Sequence, residues 1–203
     1  MNLDSQSSSA LNDGVVFTTP RMVLRAVGEA DILQLYQKIF SVPEVMSWVF
    51  AGSALSLAES ERFIRANFNF KAAPTGLCAL ADKASGEVIG FAGLNPCQVL
   101  SDDDLEFGFV LACEAWGRGL ATEIGQAQLA LGFEQLGRPR LLALASAENA
   151  ASISTLEKLG MGYHSDVMPS GRSLRRVYCI GAGEWRERHP LNSGNCAEFP
   201  VAP

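Results

Sequence analysis

Residues 116–123 have the sequence Trp-Gly-Arg-Gly-Leu-Ala-Thr-Glu, and they join an apolar run to a helical pattern. The first N–H groups of a helix have no partner within the helix, and the helix dipole is positive at that end. Gly117 and Gly119 allow the main chain to approach a ligand closely. This segment therefore predicts a turn between a strand and a helix that binds an anion such as phosphate.

Three kinds of glycine-rich turn compete for this segment. A nucleoside triphosphate loop needs two glycines separated by four residues and then a lysine, and the segment has neither feature. A dinucleotide-binding turn needs a third glycine, and Thr122 stands at that position. On these eight residues alone, a glycine turn without a ligand stays open beside the phosphate-binding turn.

The composition predicts one globular domain without a nucleic-acid partner. The chain has 203 residues, of which 48% are hydrophobic and 19% charged, and its formal net charge is -6. This acidic balance disfavours a nucleic-acid surface. The five cysteines form no Cys-x-x-Cys pair, so we expect a reducing compartment, no disulfide framework and no metal site. They are Cys78, Cys97, Cys113, Cys179 and Cys196.

The ends of the chain differ in composition from its middle. Residues 1–15 are serine-rich and predict a flexible leader, residues 16–180 a single domain, and residues 181–203 an irregular C-terminal tail. The amino terminus lacks the pattern of a signal peptide, and no apolar run approaches the length of a membrane span. We therefore expect a cytoplasmic protein without a membrane partner.

Hydrophobic periodicity and turn residues predict about seven strands and about four helices. Ser56 followed by Glu59 is typical of a helix start, as is Asn149, and Gly137 and Gly160 are placed to end helices. The predicted strands are 21–25, 77–81, 88–94, 105–111, 140–146, 163–167 and 174–180. The predicted helices contain residues 32–39, begin after Ser56, follow the glycine turn, and span 150–159.

A second motif supports the first. Residues 148–152 are Glu-Asn-Ala-Ala-Ser and residues 156–161 are Leu-Glu-Lys-Leu-Gly-Met. Together with the glycine turn, they resemble the GNAT acetyltransferase superfamily, in particular the branch of ribosomal-protein N-terminal acetyltransferases. The resemblance extends from about Pro20 to Ile180. It implies an α/β fold with a mixed, mostly antiparallel sheet that contains one splayed parallel pair of strands.

The resemblance also implies a site for acetyl-CoA between the strands that end at Leu111 and Ser146. The backbone at Val110 and Leu111 would pair with the pantetheine arm, and Asn149 and Ser152 would contact the cofactor near its thiol. The N–H groups of the turn would receive the pyrophosphate. That turn consists of Trp116, Gly117, Arg118, Gly119, Leu120, Ala121 and Thr122.

Two positions depart from the family pattern. Trp116 stands where the family's six-residue signature begins with Gln or Arg, which main-chain binding of the phosphates tolerates. Leu156 stands where many relatives carry a tyrosine that acts as general acid. Ser152 is a possible substitute for that acid. Because a thiol with a pKa near 8.5 leaves readily, the loss of a dedicated acid need not abolish acetyl transfer.

Glu106 is the candidate general base. It lies within an apolar strand whose other large side chains, Leu105, Phe107, Phe109 and Leu111, are predicted to point to the opposite face. An α-amine with a pKa of about 7.7–8.0 is roughly one tenth neutral at pH 7, so a weak base suffices for it. A solvated carboxylate without a catalytic role remains the alternative. For Glu123 we expect a structural role at the start of its helix.

The acceptor is either a peptide N-terminal α-amine or a small-molecule amine, and the sequence does not decide between them. We expect direct attack of the amine on the thioester in a ternary complex, and a homodimer is compatible with the sequence. A non-catalytic module that binds or senses acyl-CoA is the alternative function, since Leu156 replaces one catalytic group while the phosphate-binding turn is retained.

Overall fold

A mixed β-sheet lies at the centre of the structure, a computed structural model that describes residues 14–50, 52–168, 174–190 and 197–199. In this part of the chain the sheet has eight strands in the order β1-β2-β3-β4-β5-β6-β8-β7. All neighbours are antiparallel except β5 and β6. The strands are β1 Val15–Thr18, β2 Met22–Arg25, β3 Gly76–Asp82, β4 Val88–Cys97, β5 Asp104–Leu111, β6 Arg140–Ser146, β7 Gly162–Val167 and β8 Arg175–Gly181. The predicted fold class is confirmed.

Six α-helices flank the sheet in the described residues. They are α1 Glu29–Leu35, α2 Pro43–Met46, α3 Leu57–Asn67, α4 Leu120–Ala130, α5 Ala150–Lys158 and α6 Ala182–Arg188. Two of them, α1 and α4, continue as π-helical turns over Tyr36–Phe40 and Leu131–Gln135. Among the residues described, no helix is both long and apolar enough to cross a membrane.

The helices cover both faces of the sheet. Leu120 and Ile124 of α4 belong to the same buried cluster as Phe107 of β5, and side chains of α5 and α6 complete that layer. On the opposite face, Phe40 and Ile64 belong to a cluster built around α1, α2 and α3. Complete burial of a side chain such as Phe40 contributes about 1.5–3 kcal/mol, so each layer has its own apolar support.

The predicted helix caps are present. Ser56 and Glu59 form a reciprocal capping box, in which the Ser56 N–H donates to the Glu59 carboxylate (2.8 Å) and the Glu59 N–H to the Ser56 hydroxyl (3.3 Å). Asn149 Oδ1 accepts from the N–H of Ser152 at 3.0 Å. Gly137 follows the turn that ends the α4 segment, in the left-handed region with φ of +60°.

The sequence prediction was wrong about parts of both ends of the chain. Residues 1–13 of the predicted leader lie outside the described residues, but Val15 already belongs to β1 and pairs with Arg25. The predicted irregular tail contains α6, whose Trp185 packs on Phe133 with ring centroids 5.8 Å apart. Further along the tail, Glu198 forms a β-bridge to Thr18. These elements depend on long-range contacts that local patterns do not reveal.

A short helix that the sequence analysis did not predict lies between the predicted helix over residues 32–39 and the helix after Ser56. Pro43 occupies the first turn of α2, where its missing N–H costs nothing and its fixed φ favours the helix. The helix has four residues, too few for a periodic signal, and it is held by burial of Val45 and Met46. With β1, α2 and α6 added, the count rises from seven strands and four helices to eight and six in the described chain.

Candidate active site

The parallel strands β5 and β6 are joined at one end and separate at the other. They share a single register pair, Glu106 with Leu142, whereas β6 pairs with β8 along its whole length. At the start of both strands, the Arg140 guanidinium donates from Nε and Nη2 to the two carboxylate oxygens of Asp104, each at 2.7 Å. This paired end closes the sheet, and a gap opens toward the carboxyl ends of the strands.

The main chain of β5 faces this gap at alternate residues. The Ala112 N–H donates to the Ile89 carbonyl at 2.9 Å, and the register pairs Val110 with Phe91. Residues of β5 alternate between directing their main-chain groups toward β4 and away from it. Val110, like Ala112, therefore directs its N–H and C=O toward β4, and Leu111 directs its own away from β4. The main-chain groups of Leu111 are therefore directed toward β6. This phase favours Leu111 over Val110 for a backbone contact with a ligand in the gap, and both contacts stay predictions.

The glycine turn leads directly from this gap into α4. Gly117 and Gly119 both adopt left-handed backbone conformations, with φ of +70° and +75°, and Gly119 is the N-cap of the helix. A Cβ at Gly117 would meet no atom within 4 Å, so backbone conformation, not crowding, requires glycine there. The Trp116 indole N–H donates to the Leu111 carbonyl at 2.8 Å, which fastens the turn to the end of β5.

The first turn of α4 has the local geometry of an anion-binding helix start. The helix has eleven residues and begins at Leu120, so the first N–H groups after Gly119 lack partners within the helix. Arg118 projects a half-exposed side chain whose Nη2 lies 3.9 Å from the Asp82 carboxylate. The predicted phosphate-binding turn thus lies beside the gap between β5 and β6, and phosphate binding there stays a prediction.

Glu123 has the structural role expected of it. Its carboxylate accepts hydrogen bonds from the Thr19 hydroxyl (2.6 Å), the Arg21 N–H (3.0 Å) and the Arg21 Nε (2.6 Å). Burial opposes ionisation of this carboxyl group, but the hydrogen bonds from Thr19 and Arg21 outweigh it, so the pKa of Glu123 lies below its usual value. The first turn of α4 is thereby fixed to the β1–β2 turn.

A cavity of about 340 Å³ opens beside the gap, on the face of the sheet covered by α3. Most of its lining residues are aromatic or aliphatic, and four polar side chains lie among them. The apolar lining includes Trp48, Phe50, Phe63, Phe91 and Val110. The polar lining is Asn67, Asn95, Glu106 and Arg175. A concave, largely apolar site with a few polar groups is the usual form of a small-molecule pocket.

Glu106 reaches this cavity because its strand alternates. Leu105, Phe107 and Leu111 belong to the buried cluster beneath α4, and Phe109 packs against that cluster. Glu106 therefore projects from the opposite face, where Gly108, which has no side chain, leaves room beside it. The prediction that Glu106 points away from the large apolar side chains of its strand is confirmed, since Glu106 lines the cavity on the other face.

Arg175 is a cavity residue that sequence reasoning missed. Its side chain is buried, with 7% of the residue exposed, and it donates to the carbonyls of Trp48 (3.0 Å) and Phe50 (3.3 Å). Phe50 has a φ of +47°, which is unusual for a bulky residue, and this contact holds its segment against β8. Nothing local distinguishes Arg175 from Arg176, so only the folded arrangement of distant segments identifies it.

Asn149 and Ser152 lie at the start of α5, after the end of β6. The structure places neither among the described residues that line the cavity with Glu106. Asn149 is occupied as the helix cap, which does not exclude a ligand at its remaining groups. Leu156, at the position of the family's tyrosine, is buried in the core, with 2% exposed. The proposed acid role of Ser152 stays a prediction.

Comparison with known proteins now decides the family. The family model described as "Acetyltransferase (GNAT) domain" matches residues 21–162, more than half of the chain. The chain belongs to the GNAT acetyltransferase family. A Bacillus subtilis protein described as uncharacterized, YkkB, is 30% identical over 158 residues, which cover 77% of this chain and 91% of that protein.

Solved structures of this family have the same fold. A GNAT-family acetyltransferase from Bacillus anthracis superposes with a TM-score of 0.70 at 20% identity, covering 82% of this chain and 98% of that one. A spermidine N-acetyltransferase from Vibrio cholerae, solved with CoA and spermine, gives a TM-score of 0.63 at 18% identity, with coverage of 81% and 97%. The family model identifies this GNAT chain as an acetyltransferase, and the solved structures show the fold that it shares with them.

Proposed function

We propose that this GNAT chain transfers the acetyl group of acetyl-CoA to one primary amine carried on an apolar body. The observation that carries the proposal is the cavity, lined mostly by aromatic and aliphatic residues, which contains Glu106 and opens beside the gap between β5 and β6. Donor and acceptor would then approach from the two sides of the gap and meet in it. Direct transfer in a ternary complex follows from that arrangement.

The donor side uses main-chain groups. Acetyl-CoA supplies an acetyl thioester, whose thiolate is a good leaving group. The N–H groups from Gly119 through Thr122 would bind the pyrophosphate, and Leu111 would pair with the pantetheine arm. Asn149 and Ser152 would lie near the thiol. The left-handed glycines and the eleven-residue helix that follows them support this assignment.

Glu106 would accept the proton that the ammonium of the acceptor must lose before the amine attacks. The neutral nitrogen then forms the new C–N bond and the C–S bond breaks. The second proton, which the nitrogen loses on becoming an amide, passes to the leaving thiolate. A covalent enzyme intermediate on cysteine is disfavoured at three described thiols, because burial raises the pKa of Cys78 to about 12 and raises those of Cys113 and Cys179. This supports direct attack.

The charges in the cavity favour an acceptor with one amine. Among its described lining residues, the carboxylate of Glu106 is accompanied by the guanidinium of Arg175, so the ionised side chains balance. A polyamine such as spermidine carries several ammonium groups, and the described lining offers them one carboxylate, Glu106, beside the guanidinium of Arg175. Peptide N-termini with an apolar first residue and small apolar amines both fit, the former in keeping with the resemblance to ribosomal-protein acetyltransferases.

The test is thiol release from acetyl-CoA with a panel of acceptors. We expect turnover with a tripeptide that begins with phenylalanine or with phenylethylamine, and at least tenfold lower kcat/KM with spermidine. The same tripeptide with a blocked amino terminus is the control and should give no release above hydrolysis. Spermidine as the best acceptor would overturn the charge argument. Binding of CoA without turnover on any acceptor would favour a non-catalytic acyl-CoA binding module.

A further inference from the structure

The turn before α4 is hydrogen-bonded by Arg21, which lies 97 positions before Arg118 in the chain. Arg21, in the turn between β1 and β2, donates from Nη1 to the carbonyl oxygen of Arg118 at 2.8 Å. Its Nη2 would lie 3.7 Å from a Cβ at Gly119. Arg21 therefore lies directly against the peptide group that links Arg118 and Gly119.

Arg21 is itself fixed in place. Its Nε and its main-chain N–H both donate to the Glu123 carboxylate, at 2.6 Å and 3.0 Å. Thr19, which is 3% exposed, donates its hydroxyl to the same carboxylate at 2.6 Å, and its carbonyl accepts from Lys83 Nζ at 2.9 Å. The Arg21 side chain is 45% exposed, and these hydrogen bonds hold its guanidinium in one orientation at the surface.

The geometry of a trans peptide gives this contact a consequence. In a planar trans peptide, the C=O of one residue and the N–H of the next point in opposite directions. Since Arg21 holds the carbonyl of Arg118, the N–H of Gly119 is directed away from Arg21. That N–H belongs to the N-cap residue of α4, at the place where the family binds phosphate.

We propose that Arg21 is a positioning residue for acetyl-CoA: it orients the Arg118–Gly119 peptide so that the Gly119 N–H points at the pyrophosphate. This inference rests on the proposed function. Arg21 also balances the charge of Glu123, which lies within one turn of the phosphate-binding turn. Without Arg21, a bare carboxylate would remain near the bound phosphates and repel them.

The first experiment measures CoA binding by calorimetry in the wild-type protein and in Arg21→Ala, Arg21→Lys and Arg25→Ala. Arg25 is the matched control, because it is an arginine of β2 that forms a two-bonded ion pair with Asp31, at 2.6 Å and 2.9 Å, away from the turn. We expect Arg21→Ala to weaken CoA binding about tenfold, Arg21→Lys about threefold, and Arg25→Ala less than twofold. Circular dichroism establishes that each variant is folded.

The second experiment separates positioning of the phosphates from general damage. S-acetylpantetheine carries the same thioester but no pyrophosphate. Arg21→Ala should lower kcat/KM for acetyl-CoA about tenfold and leave kcat/KM for S-acetylpantetheine within twofold of wild type. Equal losses with both donors, or a CoA affinity within twofold of wild type, would overturn the proposal. Absence of CoA binding by the wild-type protein would instead overturn the proposed function.

Discussion

Replacing Glu106 by glutamine tests the assignment of the general base most directly. The side chain projects from β5 into the aromatic cavity beside the gap, and glutamine keeps its shape while removing its charge. A general base contributes typically 10²–10⁴-fold to a rate. The contribution here should lie below that range at neutral and alkaline pH, because an α-amine loses its proton readily.

The size of the effect follows from the ionisation of the acceptor. With a pKa of about 7.7–8.0, the amine is roughly one tenth neutral at pH 7 and roughly one hundredth neutral at pH 6. In Glu106→Gln only the neutral fraction can react, whereas the wild-type protein can deprotonate the bound ammonium. We therefore expect a rate ratio of wild type to variant of about 10 at pH 7, about 100 at pH 6, and near 1 at pH 9.

The assay is thiol release under saturating acetyl-CoA with the phenylalanine tripeptide, measured from pH 6 to pH 9. Glu114→Gln is the matched control, since it removes one carboxylate that is 56% exposed and lies 3.6 Å from Lys38, outside the cavity lining. CoA affinity of Glu106→Gln should stay within twofold of wild type. A rate ratio close to one across the whole pH range would exclude Glu106 from proton transfer.

Three further predictions concern the frame that holds the site. Asp104→Asn should reduce the free energy of unfolding by about 1.5–3 kcal/mol in urea titrations, because it breaks a charged pair at the closed end of β5 and β6. Asp31 is buried, which opposes its ionisation, but hydrogen bonds from a guanidinium and the backbone lower its pKa; its stabilisation should be present above about pH 4 and lost as the pH falls further, and Asp31→Asn should show a smaller acid loss. Gly93→Ala would place a Cβ against the Gly76 carbonyl and should cost about 3 kcal/mol in thermal unfolding, whereas Gly183→Ala meets no atom within 4 Å and should cost nothing.

The conformation of the proposed donor turn could be predicted because its determinants are local. The left-handed glycines, the apolar strand before them and the helix after them lie within one short segment, and each has a sequence signal of its own. The caps at Ser56 and Asn149 were predicted for the same reason. Those signals depend on a few neighbouring residues, and tertiary packing reinforces them.

The elements that the sequence did not reveal share a different property. Strand β1 has four residues and owes its place to pairing with β2 and with Glu198 near the other end of the chain. Helix α6 is held by the contact of Trp185 with Phe133, some fifty positions away. Short elements of this kind carry too few periods to be distinguished from loops, so long-range contacts decide their structure.

The proposed donor turn depends on local signals, whereas the proposed acceptor cavity depends on long-range contacts. This difference explains why the identity of the acceptor is hard to predict from the sequence. The acceptor cavity is built from segments that meet only in the fold, as the contact of Arg175 with the carbonyls of Trp48 and Phe50 illustrates. Its apolar walls tolerate exchange of one side chain for another of similar volume without loss of the sheet. The donor turn tolerates fewer substitutions, because the positive φ values of Gly117 and Gly119 require glycine at both positions. Exchanges of similar volume at Trp48 or Phe50 should therefore alter the acceptor, while the donor and the fold stay the same.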